Sequence, residues 1–393
     1  MSHLSVVQPA LLSKINERQV LRTLRMHGPL SRAEVARRSG ISAPTASKAV
    51  DSLLRAGFLE EGDALEPARG RPAKRLWLAS KTAQVLGVVI DAGECRMVAA
   101  GLDGLLREDC AAAFETPSSY EELIARCAEQ VAALVHRCAI NTLGIGVSIP
   151  GLIDSRRQQG VLSPNLPITN GRRPAHDLEA RVGLPCVLVQ ESHALCLAER
   201  HYGAAQGMDD FAMMDVATGV GLGVFSGGRL LAGHSGLAGE IGHVTVEPEG
   251  RPCGCGNRGC LETIACDSAL AWHVSQKVGT RVTIDQAVEQ VRSGAVSVES
   301  ELARITRYLG LGVAAVVNLF NPSTLFLHGR LFDAREALFE QVVEEARRRA
   351  LPPSFADCRI VQARGSKRQG AVAAVIEHVT NSVVPELAQG SLG

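Results

Sequence analysis

The sequence predicts an α/β protein in which a winged helix-turn-helix precedes a body of two α/β lobes. Three short helical segments, followed by two strand-like segments, occupy the first 80 residues. Beyond them, buried strand-like runs alternate with helical segments, which is typical of α/β folds. The strand-rich pattern restarts at Phe211, which indicates two related lobes. A cleft between two such lobes is a usual position for a ligand site.

The first two helices are predicted from apolar periodicity and from capping residues. Apolar side chains recur at helical spacing between residues 14 and 26, and His27-Gly28-Pro29 ends that pattern. Ser31 then begins a second helix over residues 32–39, because Glu34 stands three positions later, as a capping box requires.

A third helix follows the tight turn Gly40-Ile41 and is predicted to read DNA. Ser42 is its N-cap, and the helix runs to about residue 55. A helix-turn-helix presents the N-terminal end of its second helix to base edges in the major groove. The residues predicted to face outward there are Ser42, Thr45, Ser47 and Lys48.

Two strands, near residues 57–60 and 75–78, are predicted to form a wing. The segment between them is cationic and contains Gly and Pro, and such a slim loop fits a narrow minor groove. Its predicted DNA-contacting residues are Arg69, Gly70, Arg71 and Pro72. A small helical domain followed by a charged loop is the simpler alternative. The helix-turn-helix and the basic wing together favour double-stranded DNA as the partner.

Charge is distributed unevenly along a chain of 393 residues whose formal net charge is zero. Residues 1–80 contain 13 basic and 7 acidic side chains, which leaves 28 basic and 34 acidic side chains for the body. A basic head on an acidic body indicates a polyanionic partner for the head alone, although a solvated basic face gives the same count.

A cytoplasmic location is expected. No apolar run reaches the ~18 residues of a membrane span, because Gly, Asn or charged residues interrupt every candidate. The N-terminus lacks the basic, apolar and small-residue regions of a signal peptide. Most of the 11 cysteines have apolar neighbours in the sequence and are expected to be reduced core thiols.

The body is predicted to begin with a buried strand over residues 84–90 that leads into Asp91-Ala92-Gly93. A second strand over residues 95–100, a helix over 120–138 and a further buried strand over 143–149 follow.

The most specific chemical signal is a cluster of three thiols with one imidazole. The predicted metal ligands are His243, Cys253, Cys255 and Cys260. Soft or borderline donors of this kind suit tetrahedral Zn²⁺, and four protein ligands leave no position for a reactive water. Zinc would therefore be structural. Free thiols, or a disulfide between Cys253 and Cys255, are the alternatives.

Several glycine-rich motifs resemble the signature of the ROK family, which contains repressors and sugar kinases. They are Gly219-Val-Gly-Leu-Gly223, Ala238-Gly239-Glu240-Ile241-Gly242-His243 and Cys253-Gly-Cys255-Gly-Asn-Arg-Gly-Cys260-Leu-Glu262. The resemblance extends over essentially the whole chain and implies an actin-like, RNase H-like body. The winged helix, the Arg-Gly-Arg-Pro segment and Asn318-Leu-Phe-Asn-Pro322 resemble the repressor branch of that family.

The resemblance also implies a sugar-binding site. In the sugar kinases of the family, the residues that match Glu240, His243 and Glu262 hydrogen-bond sugar hydroxyls, and Asn165 lies in a loop similar to the sugar-side loop. Without the resemblance, Glu240 is better explained by a cap or a surface ion pair, and residues 163–167 by a plain turn. The full set of predicted ligand residues is Asn165, Gln190, Glu191, Glu240, His243 and Glu262.

Three departures from the kinase pattern argue against phosphoryl transfer. Glu94 replaces a glycine of the first phosphate loop, and its charge would repel phosphate oxygens. Gln190-Glu191 replaces the Asn-Asp pair that contains the general base, so Glu191 is predicted to be vestigial. His328-Gly329 replaces a pair of glycines beside adenine. We therefore predict no catalytic residue and no ATP.

The sequence as a whole predicts a transcriptional repressor of genes for sugar uptake or carbohydrate metabolism. The predicted domains are the winged helix over residues 1–80, a first lobe over 81–190 completed by a helix over 371–390, and a second lobe over 191–370. A homodimer or homotetramer is expected on two-fold symmetric DNA. The regulatory input is a small sugar or sugar phosphate, or, as the resemblance implies, a phosphotransferase-system transporter subunit. An active sugar kinase with an added DNA-binding head, and a scaffold that binds an acidic protein, are the alternatives.

Overall fold

The computed structural model describes residues 9–62, 74–363 and 365–381. The head consists of three helices and a two-stranded antiparallel sheet. Its elements are α1 (Pro9–His27), α2 (Arg32–Ser39), α3 (Ala43–Arg55), β1 (Leu59–Gly62) and β2 (Arg75–Leu78). The predicted wing residues Arg69, Gly70, Arg71 and Pro72 lie outside the described residues.

The predicted winged helix-turn-helix is confirmed in the described part of the head. Ser31 and Glu34 form the capping box of α2, and the Ser42 side chain accepts a hydrogen bond from the Thr45 N–H at the start of α3. Apolar side chains of the three helices meet β2 in a core that includes the fully buried Val20, Val50 and Leu76. α1 begins at Pro9, five residues before the predicted start.

One carboxylate of the head binds the turn that leads into the body. Glu60 of β1 accepts hydrogen bonds from the backbone N–H groups of Lys81 at 2.8 Å and of Thr82 at 2.7 Å, and from Trp77 Nε1 at 2.8 Å. Burial alone would raise the pKa of Glu60, but these donors lower it to about 2. The turn between the head and the first body strand is thereby fixed to the wing strands.

The first lobe is built on a five-stranded sheet with the strand order β5-β4-β3-β6-β9. β3, β4 and β5 are antiparallel, whereas β6 and β9 run parallel to β3. The elements are β3 (Ala83–Ile90), β4 (Glu94–Ala100), β5 (Leu106–Glu115), α4 (Tyr120–Cys138), β6 (Asn141–Ile149), β7 (Leu152–Asp154), β8 (Gln159–Leu162), α5 (Pro174–Val182) and β9 (Cys186–Gln190). The sequence analysis missed β5 because only Cys110 and Phe114 of this edge strand are buried.

The second lobe repeats this arrangement. Its sheet has the order β12-β11-β10-β13-β14, again with three antiparallel strands followed by two parallel ones. The prediction of two related lobes is therefore confirmed. The elements from the lobe junction onward are α6 (Glu191–Tyr202), β10 (Phe211–Asp215), β11 (Gly221–Ser226), β12 (Arg229–Leu230), α7 (Asp267–Val278), α8 (Ile284–Arg292), α9 (Glu299–Phe320), β13 (Thr324–His328), α10 (Leu338–Arg347), α11 (Pro352–Asp357), β14 (Arg359–Gln362) and α12 (Lys367–Asn381).

α9 is the main core helix of the second lobe. It also has the length and hydropathy of a membrane span, with 56% of the apolar window buried inside the lobe. The expectation that no segment of the chain has this length and hydropathy is therefore wrong for α9. Gly310 interrupts the apolar run in the sequence but lies within the helix, where it allows Glu345 of α10 to approach closely.

Two adjacent helices connect the lobe junction to the head. α6 begins at Glu191 and α12 at Lys367; α6 packs along α12, and α12 contacts α1. There, Arg25 of α1 donates a hydrogen bond to the Thr380 hydroxyl at 3.3 Å, and His201 Nε2 of α6 lies 3.6 Å from a carboxylate oxygen of Glu377. α12 also lies against the first sheet, so closely that a Cβ on Gly146 would collide with the backbone of α12.

A disulfide joins Cys110 of β5 to Cys138 at the end of α4. The expectation of reduced thiols is therefore wrong for this pair. The two residues could not be paired from sequence, because β5 itself was not predicted and pairing requires the ends of β5 and α4 to be adjacent.

Candidate functional site

The carboxyl ends of strands with parallel neighbours in both sheets face one cleft. Asp91 follows β3, Gln190 ends β9, and Asp215 ends β10. In this lobe arrangement the cleft contains a cavity of about 50 Å³, which is smaller than the ~300–1,000 Å³ of typical small-molecule sites. All six residues predicted to bind sugar line this cleft, namely Asn165, Gln190, Glu191, Glu240, His243 and Glu262.

Polar side chains from both lobes meet in the cleft. Gln190 Nε2 donates a hydrogen bond to Glu240 Oε1 at 2.8 Å, and Glu240 Oε2 lies 3.7 Å from His243 Nε2. His243 Nδ1 lies 3.6 Å from Glu262 Oε1. Gly219 permits this closeness, because a Cβ there would lie 2.7 Å from Glu262 Oε2. The arrangement provides carboxylate acceptors and amide groups, which together suit the hydroxyl groups of a polyol.

The four predicted metal ligands converge behind this cleft. The donor atoms of His243, Cys253, Cys255 and Cys260 all lie within 4.8 Å of one another. Cys255 Sγ and Cys260 Sγ are 3.7 Å apart, and Cys253 Sγ is 3.7 Å from His243 Nδ1. Tetrahedral zinc with Zn–S bonds of ~2.3 Å requires sulfur separations of ~3.8 Å, so the spacing fits zinc.

The metal ligands and the cleft residues share His243. Its Nδ1 faces Cys253 and its Nε2 faces Glu240, so one ring connects the two groups. Cys253 and Cys255 are free cysteines, which excludes the disulfide alternative in this structure. A short 3₁₀ turn over Ile241–His243 and left-handed glycines, such as Gly239 with φ +101°, shape the loop that carries these residues.

Sequence reasoning missed Lys367, which does not itself line the cavity but contacts two residues that do, Glu191 and Asp215. Its Nζ lies 2.9 Å from Glu191 Oε1, 3.7 Å from Asp91 Oδ2 and 3.7 Å from Asp215 Oδ2. The three carboxylates come from the loop after β3, the start of α6 and the end of β10. One ammonium group therefore holds carboxylates of both lobes.

The electrostatics of this cluster follow from burial and from the ion pairs. Burial raises the pKa of Glu191 to about 7, although Lys367 opposes that shift. Burial alone would lower the pKa of Lys367, but the three carboxylates raise it overall. Lys367 also keeps the pKa of the buried Asp215 low, with help from His328 Nδ1 at 2.8 Å.

A signal for Lys367 was present in the sequence. A lysine in the first turn of a helix is opposed by the helix dipole, and the residues that follow it in α12 are mostly small and apolar. Such a lysine needs carboxylate partners. Those partners were not identifiable, because they come from three segments that are distant in the chain.

Glu94 does not contribute to the cleft as the sequence analysis expected. Its carboxylate lies 2.5 Å from Arg96 Nε on the exposed face of β4, and it is not among the residues that line the cavity. The strand alternation explains this placement, because Glu94 and Arg96 share one face while Cys95 is buried on the other.

The predicted base-contacting residues lie at the start of α3. Ser42 and Lys48 are exposed, whereas Thr45 and Ser47 are half-buried. All three hydroxyls already have partners, since Ser42 and Thr45 share a hydrogen bond of 2.8 Å between their hydroxyls and Ser47 Oγ accepts one from Arg32 Nη1 at 3.2 Å. Lys48 is the cation of this set.

Fold and site together define a two-lobed protein with a winged helix, a polar cleft and a cluster of one histidine and three cysteines that could hold a metal ion. The sequence profile of the ROK family matches residues 88–377, and that of the MarR family matches residues 14–70. The chain belongs to the ROK family, as the resemblance predicted.

Several similar proteins are transcriptional regulators. The DNA-binding transcriptional dual regulator NagC of Escherichia coli K12 is 27% identical over 387 residues, which cover 95% of each chain. The xylose repressor of Bacillus subtilis is 24% identical and covers 87% of this chain and 89% of its own.

Solved structures support the fold. A ROK family transcriptional regulator described as a homologue of the E. coli MLC protein superposes with a TM-score of 0.80 at 24% identity, covering 95% of this chain and 98% of its own. A ROK glucokinase from Streptomyces griseus, in complex with glucose and AMPPNP, has a TM-score of 0.66 at 25% identity. The superposed region is 97% of the glucokinase chain but 74% of this chain.

Proposed function

We propose that this protein is a sugar-responsive DNA-binding repressor of genes for sugar uptake or carbohydrate metabolism, and that it acts in the cytoplasm. One observation carries the proposal. A winged helix is joined, through α6 and α12, to a cleft whose six predicted sugar-binding residues line one cavity. The names of the relatives, which include an N-acetylglucosamine repressor and a xylose repressor, support this assignment.

In the proposed DNA complex, α3 lies in the major groove and the wing enters the minor groove. Lys48 supplies an exposed cation at the start of α3, and the hydroxyls of Thr45 and Ser47 face the same groove. The Arg69–Pro72 segment remains a predicted wing contact. The proposed domains are residues 1–80, 81–190 with the C-terminal helix, and 191–370, assembled as a homodimer or homotetramer.

The proposed cofactor is Zn²⁺ held by His243, Cys253, Cys255 and Cys260. When bound, zinc supplies a structural cross-link and no reactive water, because four protein ligands complete its tetrahedron. His243 then orients Nε2 toward the cleft. Cys253 Sγ donates a hydrogen bond to Glu262 Oε1 at 3.0 Å, and it would lose that proton on binding zinc.

The proposed inducer is a small sugar or sugar phosphate whose hydroxyls replace the Gln190–Glu240 hydrogen bond. A change in lobe separation would move the starts of α6 and α12; α12 reaches α1 at Arg25, and α6 is held to α12 by His201 and Glu377. Binding of the ligand and binding of DNA are then coupled, because the ligand prefers one of two lobe arrangements and the DNA also prefers one of them. A phosphotransferase-system transporter subunit that sequesters the repressor is the second proposed input.

An active sugar kinase with an added head is the rival function. The Lys367 ammonium among Asp91, Glu191 and Asp215 argues against it, because a kinase needs those carboxylates for metal ions and for proton transfer.

Selection of genomic DNA by the purified full-length protein tests the proposal. Enrichment of a few A·T-rich, two-fold symmetric sites near genes for sugar uptake is the expected result. Recovery of DNA with no shared sequence would contradict it. The same preparation, incubated with ATP and glucose, N-acetylglucosamine or xylose, is expected to form no sugar phosphate.

A further inference from the structure

Three carboxylates surround one buried ammonium group directly behind the cleft lining, to which Glu191 and Asp215 belong. Lys367 Nζ is 2.9 Å from an oxygen of Glu191 and 3.7 Å from oxygens of Asp91 and Asp215. The side chains of Lys367 and Asp215 are only 13% and 6% exposed. This cluster is separate from the four ligands of the proposed zinc centre, none of which contacts Lys367 in the described structure.

Three carboxylates that converge from different elements are the donor set of a hard divalent cation. Such cations bind carboxylate oxygens at ~2.0–2.6 Å, shorter than the ammonium contacts here by roughly 1 Å. A modest rotation of the three side chains would therefore bring their oxygens into range of an ion. In this protein Lys367 Nζ occupies the point toward which the three carboxylates converge.

We propose that the Lys367 ammonium is the built-in counter-ion of the cleft, occupying the place of a divalent cation and so excluding metal-bound nucleotides. The inference deepens the proposed function and rests on it, because the cleft is then reserved for a ligand that needs no metal, such as a neutral sugar. Lys367 is thus a specificity-determining residue.

Charge balance gives the physical reason. Three adjacent carboxylates repel one another when buried, and one of them must be protonated or a cation must be present. Lys367 meets this need without taking an ion from solution. Adding a divalent cation beside the ammonium would place two positive centres within a few ångströms in a poorly solvated site, which is strongly unfavourable.

Mn²⁺ binding to the full-length, zinc-loaded protein, followed by electron paramagnetic resonance, tests the proposal. Lys367→Ala removes the ammonium and leaves room for an ion. We expect this variant to bind about one Mn²⁺ per chain at least ten times more tightly than the unaltered protein. In the double variant Lys367→Ala/Glu191→Gln, the gain is expected to disappear. Lys277→Ala is the matched control, since its Nζ lies 2.9 Å from Glu301 outside the cleft.

Two results would overturn the proposal. One is Mn²⁺ binding by the unaltered protein that the substitution Glu191→Gln weakens. The other is tighter Mn²⁺ binding by Lys367→Ala that persists when Glu191→Gln is added. Should Lys367→Ala not fold, Lys367→Gln is measured instead with the same expectations. Mn²⁺ binding is measured without DNA and sugar, so failure of operator binding contradicts only the proposed function.

Discussion

Gln190 donates a hydrogen bond to Glu240 across the cleft, with its Nε2 2.8 Å from the Glu240 carboxylate. Gln190 ends the last strand of the first lobe, and Glu240 belongs to the glycine-rich loop of the second. The bond therefore joins the lobes at the proposed sugar site. A sugar that binds Glu240 must replace this bond, so the ligand and the lobe arrangement are linked.

Glu240→Gln tests the carboxylate of this pair. A hydrogen bond to a charged acceptor contributes about 1.5–3 kcal/mol, against about 1 kcal/mol for a neutral one, so sugar affinity is expected to fall roughly ten-fold. Operator affinity without sugar is expected to stay unchanged. Calorimetric titration with the inducing sugar measures the loss. Glu249→Gln, on an exposed loop of the same lobe, is the control. Equal sugar affinity in both variants would exclude Glu240 as a ligand.

Cys255→Ser tests the metal centre. Removal of one thiolate leaves three ligands, and zinc content is expected to fall well below about one ion per chain, with a lower thermal midpoint. Metal analysis of the purified protein checks the content. Cys186→Ser alters a free, half-buried cysteine outside the cluster and should change neither quantity. Full zinc content in Cys255→Ser would refute the ligand assignment.

Lys48→Ala tests the orientation of α3. Loss of one phosphate contact is expected to lower operator affinity several-fold and to reduce the slope of log affinity against log salt by about 0.9. Fluorescence anisotropy at several salt concentrations measures both. Lys81 is also exposed but lies in the turn between head and body, so Lys81→Ala serves as the control. An unchanged salt slope in Lys48→Ala would place α3 away from the DNA backbone.

Glu60→Gln tests how the head is fixed to the body, and it has a defined pH dependence. The pKa of Glu60 is about 2 in the folded protein against an ordinary 4.5. Stability from the ionised carboxylate is therefore present above pH 4.5 and lost as the pH falls toward 2. At neutral pH the variant is expected to be about 1–3 kcal/mol less stable.

Urea unfolding followed by circular dichroism checks this difference at several pH values. The difference in the free energy of unfolding between the unaltered protein and Glu60→Gln should become smaller below pH 4.5. Glu129→Gln, on the exposed face of α4, is the control and should show no gap. A gap that is independent of pH would mean that the Glu60 charge contributes nothing.

Gly146→Ala tests the contact between α12 and the first sheet. An added Cβ would collide with the Ala371 carbonyl, and overpacking of this kind costs about 1–3 kcal/mol or more. Gly93→Ala is the control, because a Cβ there meets nothing within 4 Å. Urea unfolding should separate the two variants clearly. Equal stability would show that α12 is not held against the sheet as described.

Local signals made much of the fold predictable. The capping box at Ser31 and Glu34 and the N-cap at Ser42 fixed the starts of α2 and α3, because capping depends on residues within one turn. The residues of the His243–Cys260 cluster and the six predicted sugar-binding residues were also placed together correctly, through spacing and resemblance, while their roles remain predictions. β5, the Cys110–Cys138 disulfide and Lys367 were not, because each depends on contacts between distant segments.

The most direct test of the account is operator affinity measured by anisotropy while a sugar is titrated. Glucose, N-acetylglucosamine and xylose are the probes, with ATP present and its consumption monitored. The account predicts that at least one sugar weakens operator binding about ten-fold or more while ATP is not consumed. Operator affinity unaffected by every sugar, together with ATP-dependent sugar phosphorylation, would contradict it.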